Sequence, residues 1–489
     1  MERPLSISPE DWAATPPAVQ ALGGAQAEEI RLLREQVQAL QEEVQRLRQE
    51  VATLREQLGQ NSHNSSRPSS SDPPGTPPRT QPASGRAPGG QRGHAGTSRP
   101  LKPLAEVKEV IPVKPEQCAH CGHALGGEDP APQRHQVTEI PPVVAETVEY
   151  QIHTLTCPDC GEQTCGELPA GVPRGAFGPR VQAMVATLSG HYHLSKRQIE
   201  DLLANFFGVE LGLGSVWALE QATSAALQDP VEEAQAAGRE EEVANVDETS
   251  WREGTKRGWL WVAVTAVATV FLLRLSRGGK VAQELLGENF GGVVGSDRWS
   301  GYQWLDPTRR QLCWAHLLRD FEAWIARGGA SQRIGKELQE QAQQMFSWWY
   351  QVRDGTMSRA EFQEKMTEVQ ARVGALLREG AACDHAKTAG TCRNILAVEE
   401  ALWTFVRVEG VEPTNNAAER AIRPGVLWRK GSFGTQSPAG SRFAERMMTV
   451  VATLKQQRRN VLDYLTAACE ASLRGEKAPS LLAPTAPAS

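Results

Sequence analysis

Glu412-Pro-Thr-Asn-Asn-Ala-Ala-Glu-Arg-Ala-Ile-Arg-Pro424 is the stretch on which the reading of this chain turns. Pro413 cannot continue a helix and biases Glu412 toward an extended shape, so the stretch opens as a loop. Thr414 or Asn415 can cap a helix, and from Asn416 the alanine-rich run reads as one. Glu419 and Arg423 then share one face at i and i+4. A carboxylate in the first turns of a helix suits a metal, and arginines beside it suit phosphate. Taken alone, the stretch is read first as a solvated helix carrying an i,i+4 ion pair, so a site there depends on what lies upstream.

Upstream, Val243-Ala-Asn-Val-Asp247 reads as a short strand ending in an acid. Gly258 to Ala266 and Thr269 to Leu275 read as the next two strands, and Val281 to Leu286 as a brief helix. Gly292-Val-Val-Gly-Ser-Asp297 is another strand ending in an acid, and Arg310 to Ala315 could be a fifth. This order places Asp247 and Asp297 at strand ends that can be neighbours in one sheet, with Glu419 completing the cluster from a helix. Each aspartate alone would suit a turn or a cap. Together the three acids are what a two-metal phosphoryl-transfer site requires. Glu248 should point to the opposite side of the strand from Asp247 and serve as an internal control.

Asp247 and Asp297 are 50 residues apart, and Asp297 and Glu419 are 122 apart. The second gap needs an insertion, and its sequence is helical. Ile334, Leu338, Ala342, Met345, Trp349 and Val352 mark one helix; Ser358-x-x-Glu361 caps another, with Phe362, Met366, Val369, Val373 and Leu376 on its face. A helical domain is expected over about 323–408, with Trp348, Trp349 and Trp403 in its core. Between Glu419 and Asn460 nine lysines and arginines face two acids. Such a concentration, which includes Arg420, Arg423, Arg429 and Lys430, suits phosphate-backbone contact.

The remaining segments are modular. Residues 1–27 and 473–489 are polar or Pro/Ala-rich and are expected to be disordered. Ile30, Leu33, Val37, Leu40, Val44, Leu47, Val51, Leu54 and Leu58 step by three and four, which predicts a parallel dimeric coiled coil over 28–60. Residues 61–105 form a Pro/Gly/Ser-rich basic linker; a DNA-contacting arm and a plain tether both fit it. Two CxxC knuckles, Cys118/Cys121 and Cys157/Cys160, lie in a module spanning 106–170, where four thiolates can hold one structural Zn²⁺. Val143 to Thr156 has strand composition, so a long β-ribbon could bring the second knuckle to the first. Residues 176–228 are helical, with a capping box at Ser195-x-x-Gln198 and a third helix capped by Ser215. A helix-turn-helix and a plain bundle both fit this region, and Lys196 and Arg197 are its candidate phosphate contacts.

The whole chain of 489 residues carries a net charge of −6, so it is no polycation. No signal peptide is visible, and the longest uncharged apolar run, Gly258 to Leu273, is shorter than the roughly 18–20 residues of a membrane span. Nine cysteines, an odd number in an unsignalled chain, argue against a disulfide framework. A cytoplasmic protein that does not contact membrane is expected.

Several blocks resemble the DDE transposases of the insertion-sequence-66 family: Asp247-Glu-Thr, Ser296-Asp297-Arg-Trp-Ser-Gly-Tyr302, Cys313-Trp-Ala-His316-Leu-Leu-Arg-Asp320, Thr414 to Pro424, and Gly431-Ser-Phe-Gly-Thr-Gln-Ser437 with Gly440. The order of coiled coil, linker with Gly89-Gly-Gln-Arg-Gly-His94, zinc knuckles and helical region fits the same family. The resemblance runs from about Glu28 to Leu465. It implies a ribonuclease-H-like α/β catalytic domain over 240–472 and Mg²⁺ (or Mn²⁺) held by Asp247, Asp297 and Glu419. It also implies cleavage and strand transfer at the terminal inverted repeats of a mobile element, in a bacterial, nucleoid-associated setting, with companion proteins of the same element as candidate partners. Trp299, Tyr302, His316 and Arg319 are flagged by the family pattern as accessory residues. A catalytically inactive DNA-binding remnant and a nuclease without strand transfer stay open as alternatives.

Overall fold

The computed structural model describes residues 7–58, 60–61, 64 and 99–483. The chain divides into two units, one comprising 1–79 with 311–414 and the other 80–310 with 415–489. Most of the 61–105 linker lies outside the described residues.

The second unit is built on a mixed sheet. β1 (Val243–Glu253) turns through Gly254 into β2 (Lys256–Val264), and β3 (Thr269–Arg274) comes next. The chain then forms a helix, Gly279–Leu286, before β4 (Val293–Ser296) and the short β5 (Arg310–Leu312), where it leaves this unit. The sheet order is β3-β2-β1-β4-β5. β1 and β2 pair antiparallel, as do β2 and β3, while β4 lies parallel to β1 with Val243 opposite Val293 and Asn245 opposite Gly295.

Alternation along β1 decides what each face meets. Ala244 and Val246 enter one core with Trp261, Leu272, Leu285, Tyr302, Met447 and Leu465. Trp251, on the other face, joins Leu260, Val262 and Phe271 under Ala418 and Ile422 of the helix Asn416–Ser432 and Met448 of the helix Pro438–Gln456. Helices therefore cover both faces, and the α/β class is as expected.

Several boundaries differ from the sequence reading. β1 does not end at Asp247; its next six residues pair with β2, because Thr249, Ser250 and Trp251 have strand composition and the turn comes only at Gly254. β5 stops at Leu312, since Trp314 opens a helix. The 143–156 ribbon shrinks to Thr154–Thr156 paired with Gln163–Cys165. The third helix of the 176–228 region begins at Leu213 after Gly212, ahead of Ser215, whereas the Ser195–Gln198 capping box is formed. The first and third helices of that region, Pro179–Gly190 and Leu213–Ala226, pack against the C-terminal helices. The described part of the tail is ordered: Leu481 is buried, the Tyr464 hydroxyl donates to the Pro479 carbonyl at 2.8 Å, and Arg459 donates to the Leu481 and Leu482 carbonyls. Two adjacent leucines supply apolar surface that the Pro/Ala composition around them obscures.

The other unit contains the helices Trp314–Arg327, Gly329–Asp354, Arg359–Ala381, Ala386–Leu396 and Thr404–Arg407. The insertion thus runs 311–414, wider than the expected 323–408, because the Cys313-Trp-Ala-His316 block itself begins a helix. Trp349 packs at a tilt on Phe362 and edge-on against Phe405 in its core, and Trp403 packs on Trp314. Trp348 is only half-buried, with the Lys365 ammonium over its ring.

The N-terminal segment is helical over Pro9–Ala14, capped by Ser8, and again over Pro17–Leu58. Composition predicts disorder for 1–27, but Pro9 and Pro17 stand at helix starts, where proline is tolerated, and the Ala/Gln/Glu content propagates the second helix. All nine residues of the heptad seam are exposed, Leu40 by 65%. We propose that a second copy of this helix covers them as a parallel coiled coil. Leu40→Lys with Leu47→Lys should convert a dimer to monomers in analytical ultracentrifugation. A dimer that survives both substitutions refutes the pairing.

Candidate functional site

Asp247 lies in the middle of β1 and Asp297 directly follows β4, so the parallel pairing of the two strands makes the aspartates neighbours. The Glu419 helix is fixed to the same strand. Its N-cap residue, Asn415, is fully buried, and its Nδ2 donates to the Val246 carbonyl at 3.2 Å, one residue before Asp247. Farther along, Ala418 and Ile422 pack over β1 and β2. Gly425 lies against Leu260, where a Cβ would come within 2.4 Å of a side-chain methyl. Glu419, one turn after Asn415, is thereby held near enough for its charge to act on Asp247.

Asp297 and Glu419 are near enough for their charges to act on Asp247, although the three carboxylates do not form one group within 4.8 Å among the described residues. Burial and the carboxylates of Glu248, Asp297 and Glu419 hold Asp247 well above the ordinary carboxylate range. The Asp297 turn is gripped from behind by Arg310, whose guanidinium donates to the Ser296 hydroxyl at 3.1 Å and to the Asp297 carbonyl at 2.6 Å. Asp297 Oδ1 accepts the Trp299 N–H at 2.8 Å, so this aspartate is both a turn residue and a member of the acid cluster. Carboxylates are hard oxygen donors suited to a divalent cation such as Mg²⁺, and these three would have to draw closer to share one.

Glu248 points to the opposite side of β1, as expected, but it is no bystander. Its side chain is 1% exposed, pairs with Arg277 at 2.7 Å and accepts the Tyr302 hydroxyl at 2.6 Å. Burial and the Asp297 charge raise it to about 6, against the bonds from Tyr302 and Arg277. The Arg277 guanidinium lies 3.8 Å from the Trp299 ring centroid and 4.7 Å from that of Trp259, and its carbonyl accepts the Trp299 indole N–H. The whole Asp297-to-Tyr302 turn is therefore folded around the Glu248–Arg277 pair. Sequence reading missed this role because Arg277 and Tyr302 lie 29 and 54 residues away. The accessory residues Trp299 and Tyr302 act here as parts of this brace.

The proposed basic contacts separate into groups. Lys196 pairs with the buried Glu220 at 3.0 Å, and Arg197 shares its surface with Glu200, Asp201 and Glu210. Neither setting favours a polyanion. Arg420, Arg423 and Lys430 are exposed on the Glu419 helix. Arg429 donates to Thr249 Oγ1 at 3.1 Å and Ser250 Oγ at 2.6 Å, tying that helix to β1. His316 and Arg319 stand in the first turns of the helix Trp314–Arg327, in the helical unit.

The four cysteines form two knuckles. In one, the Gly122 N–H donates to the Cys118 carbonyl and Gln117 bridges Ala124; in the other, the Gly161 N–H donates to the Cys157 carbonyl within the short hairpin. Backbone N–H groups of Cys121 and His120 lower the Cys118 pKa, and those of Cys160 and Asp159 lower Cys157, so each knuckle favours thiolate. Each pair is drawn together, while the four sulfurs do not form one group within 4.8 Å among the described residues.

Comparison with known proteins agrees with this layout. The pattern of the family described as "Transposase IS66 family" matches residues 174–443, and that of the "zinc-finger binding domain of transposase IS66" matches 115–161. A family of unknown function matches 14–100. The uncharacterized protein y4qI of Sinorhizobium fredii is 29% identical over 236 residues, which is 43% of this chain and 43% of that protein. The chain thus matches under half of that relative's length.

Glu248→Ala removes the acceptor of both the Arg277 guanidinium and the buried Tyr302 hydroxyl. The loss should be about 1–3 kcal/mol. Thermal denaturation should show Tm lowered by several degrees, whereas Glu248→Gln, which keeps an acceptor and removes a charge that burial and Asp297 disfavour, should lower it less, and Asp247→Asn should not lower it. An unchanged Tm for Glu248→Ala contradicts the bracing role.

Proposed function

The chain belongs to the IS66 transposase family, and from that premise we propose that it cuts and joins DNA with a ribonuclease-H-like core whose acid triad is Asp247, Asp297 and Glu419. The observation that carries this reading is geometric: Asp297 follows a strand that runs parallel to the one bearing Asp247, and Asn415 ties the Glu419 helix to that same strand. The sheet order, with the two aspartates on adjacent parallel strands, supports the ribonuclease-H-like assignment.

In this reading the three carboxylates hold divalent cations, Mg²⁺ or Mn²⁺, which when bound neutralise charge on the attacking and leaving oxygens of an in-line displacement. Asn415 and the apolar face of its helix keep Glu419 in register with Asp247. Arg310 and the Glu248 brace keep Asp297 in place. Arg420 and Arg423, exposed on the same helix, suit DNA phosphates. Hydrolysis at the element end leaves a 3′-hydroxyl, and attack of that hydroxyl on target DNA exchanges one phosphodiester for another. No covalent protein–DNA link and no nucleotide cofactor is needed.

The family's zinc-finger domain supports a structural zinc. We assign Cys118, Cys121, Cys157 and Cys160 as its ligands; a Cys157→Ser chain that keeps stoichiometric zinc by elemental analysis would overturn that set. No described helix is long and apolar enough to cross a membrane.

Asp247→Asn, Asp297→Asn and Glu419→Gln should each abolish cleavage and joining of DNA carrying the element's terminal repeats, a loss of about 10³-fold or more if the acids act as a unit. DNA binding should persist or tighten, because a charge that repels phosphate is gone. A gel assay for cleaved and joined products reads this. Full joining by Glu419→Gln would remove Glu419 from the triad, and cleavage without joining by the wild-type chain would favour a nuclease.

A further inference from the structure

At the far end of the β1–β2 hairpin from Asp247 lies an open cleft of about 650 Å³, lined by Trp251, Arg252, Arg257, Arg429, Lys430 and Phe433 among others. None of the lining residues is acidic. Arg252 and Arg257 face each other directly across the antiparallel strands. Like charges in that position destabilise a hairpin, and neither arginine is in an ion pair among the described residues. The next cross-strand pair, Glu253 opposite Lys256, is complementary, so the clash is local to the cleft.

Phe433 is the second anomaly. It ends the Glu419 helix in the left-handed conformation, φ 60°, where glycine is the usual occupant and a bulky residue is strained by roughly 1–2 kcal/mol. Phe433 is nevertheless 74% exposed. The segment beyond it is firmly held. Thr435 N–H donates to the Arg252 carbonyl at 2.9 Å, Gly254 N–H donates to the Thr435 carbonyl at 2.8 Å, and the Trp251 indole donates to Thr435 Oγ1 at 3.1 Å. Gly434 lies so close to β1 that a Cβ would come within 2.2 Å of the Arg252 carbonyl oxygen. The backbone thus presents an aromatic ring to solvent from a rigid mount, beside a row of cations.

Resting on the DNA-processing reading above, we propose that this cleft takes a single-stranded DNA end, its phosphates against Arg252, Arg257, Arg429 and Lys430 and one unstacked base on the face of Phe433. A phosphate chain removes the Arg252–Arg257 repulsion. An exposed ring beside it offers the stacking surface that single-stranded DNA binders use without reading sequence. The cleft lies farther along the same strand and helix, with Trp251 and Arg252 about 13–17 Å from Asp247 at roughly 3.3 Å per strand residue, so a strand end freed at the acids can be held without leaving the unit.

The test is fluorescence anisotropy with the full-length, zinc-loaded chain and no added magnesium, using one labelled duplex either blunt or with a short single-stranded end. Phe433→Leu should weaken binding of the single-stranded end by roughly 5- to 100-fold and leave blunt-duplex binding unchanged, and Phe433→Tyr should restore it. Arg252→Ser with Arg257→Ser should lower the slope of log affinity against log salt by about 1.4, at about 0.7 per single-strand phosphate. Equal affinity of Phe433→Leu and wild type for the single-stranded end overturns the proposal, as does equal loss on both DNAs. A wild-type chain that binds neither DNA would instead sink the DNA-processing reading itself.

Discussion

Repulsion among carboxylates is the constraint around which the α/β unit is arranged. Asp247 is buried and near the charges of Glu248, Asp297 and Glu419; burial first, and then all three charges, push its pKa upward. Each acid is therefore tied from behind. Asn415 binds the strand before Asp247, Arg310 grips the backbone of Asp297, and Arg277 with Tyr302 satisfies Glu248. Asn415 and Tyr302 belong to the blocks that resemble the family, while Arg277 and Arg310 lie outside them. Much of what looks like a set of catalytic residues is thus a set of supports that keeps like charges close.

Glu248 illustrates the difference. It neighbours Asp247 in sequence, and the period of a strand sends it to the other face. Its contribution acts through Arg277, Trp299 and Tyr302 on the turn that carries Asp297. It is a positioning residue, and its loss should loosen one arm of the acid cluster from the back.

Much of the site was legible in the chain. The strand pattern marked β1 and β4, the 122-residue gap demanded the helical insertion, and alanines after Asn415 placed Glu419 on a helix. What could not be read was assembled from distant segments. The brace joins residues 29 and 54 positions apart. The basic cleft joins the β1–β2 hairpin to a helix end about 180 residues later. Lys196 looked like a phosphate contact because its partner, Glu220, lies on another helix. Composition also misled at the ends: prolines at helix starts passed for disorder over residues 9–27, and two leucines in a Pro/Ala tail dock on the core.

The central claim is that Asp247, Asp297 and Glu419 bind divalent metal as one cluster. Titration of Mn²⁺ into the zinc-loaded chain, with free Mn²⁺ read by electron paramagnetic resonance, tests it without DNA. The wild-type chain should bind Mn²⁺, and Asp247→Asn, one ligand charge poorer, should bind it about tenfold more weakly or worse. Equal Mn²⁺ affinity in the two proteins would contradict the claim.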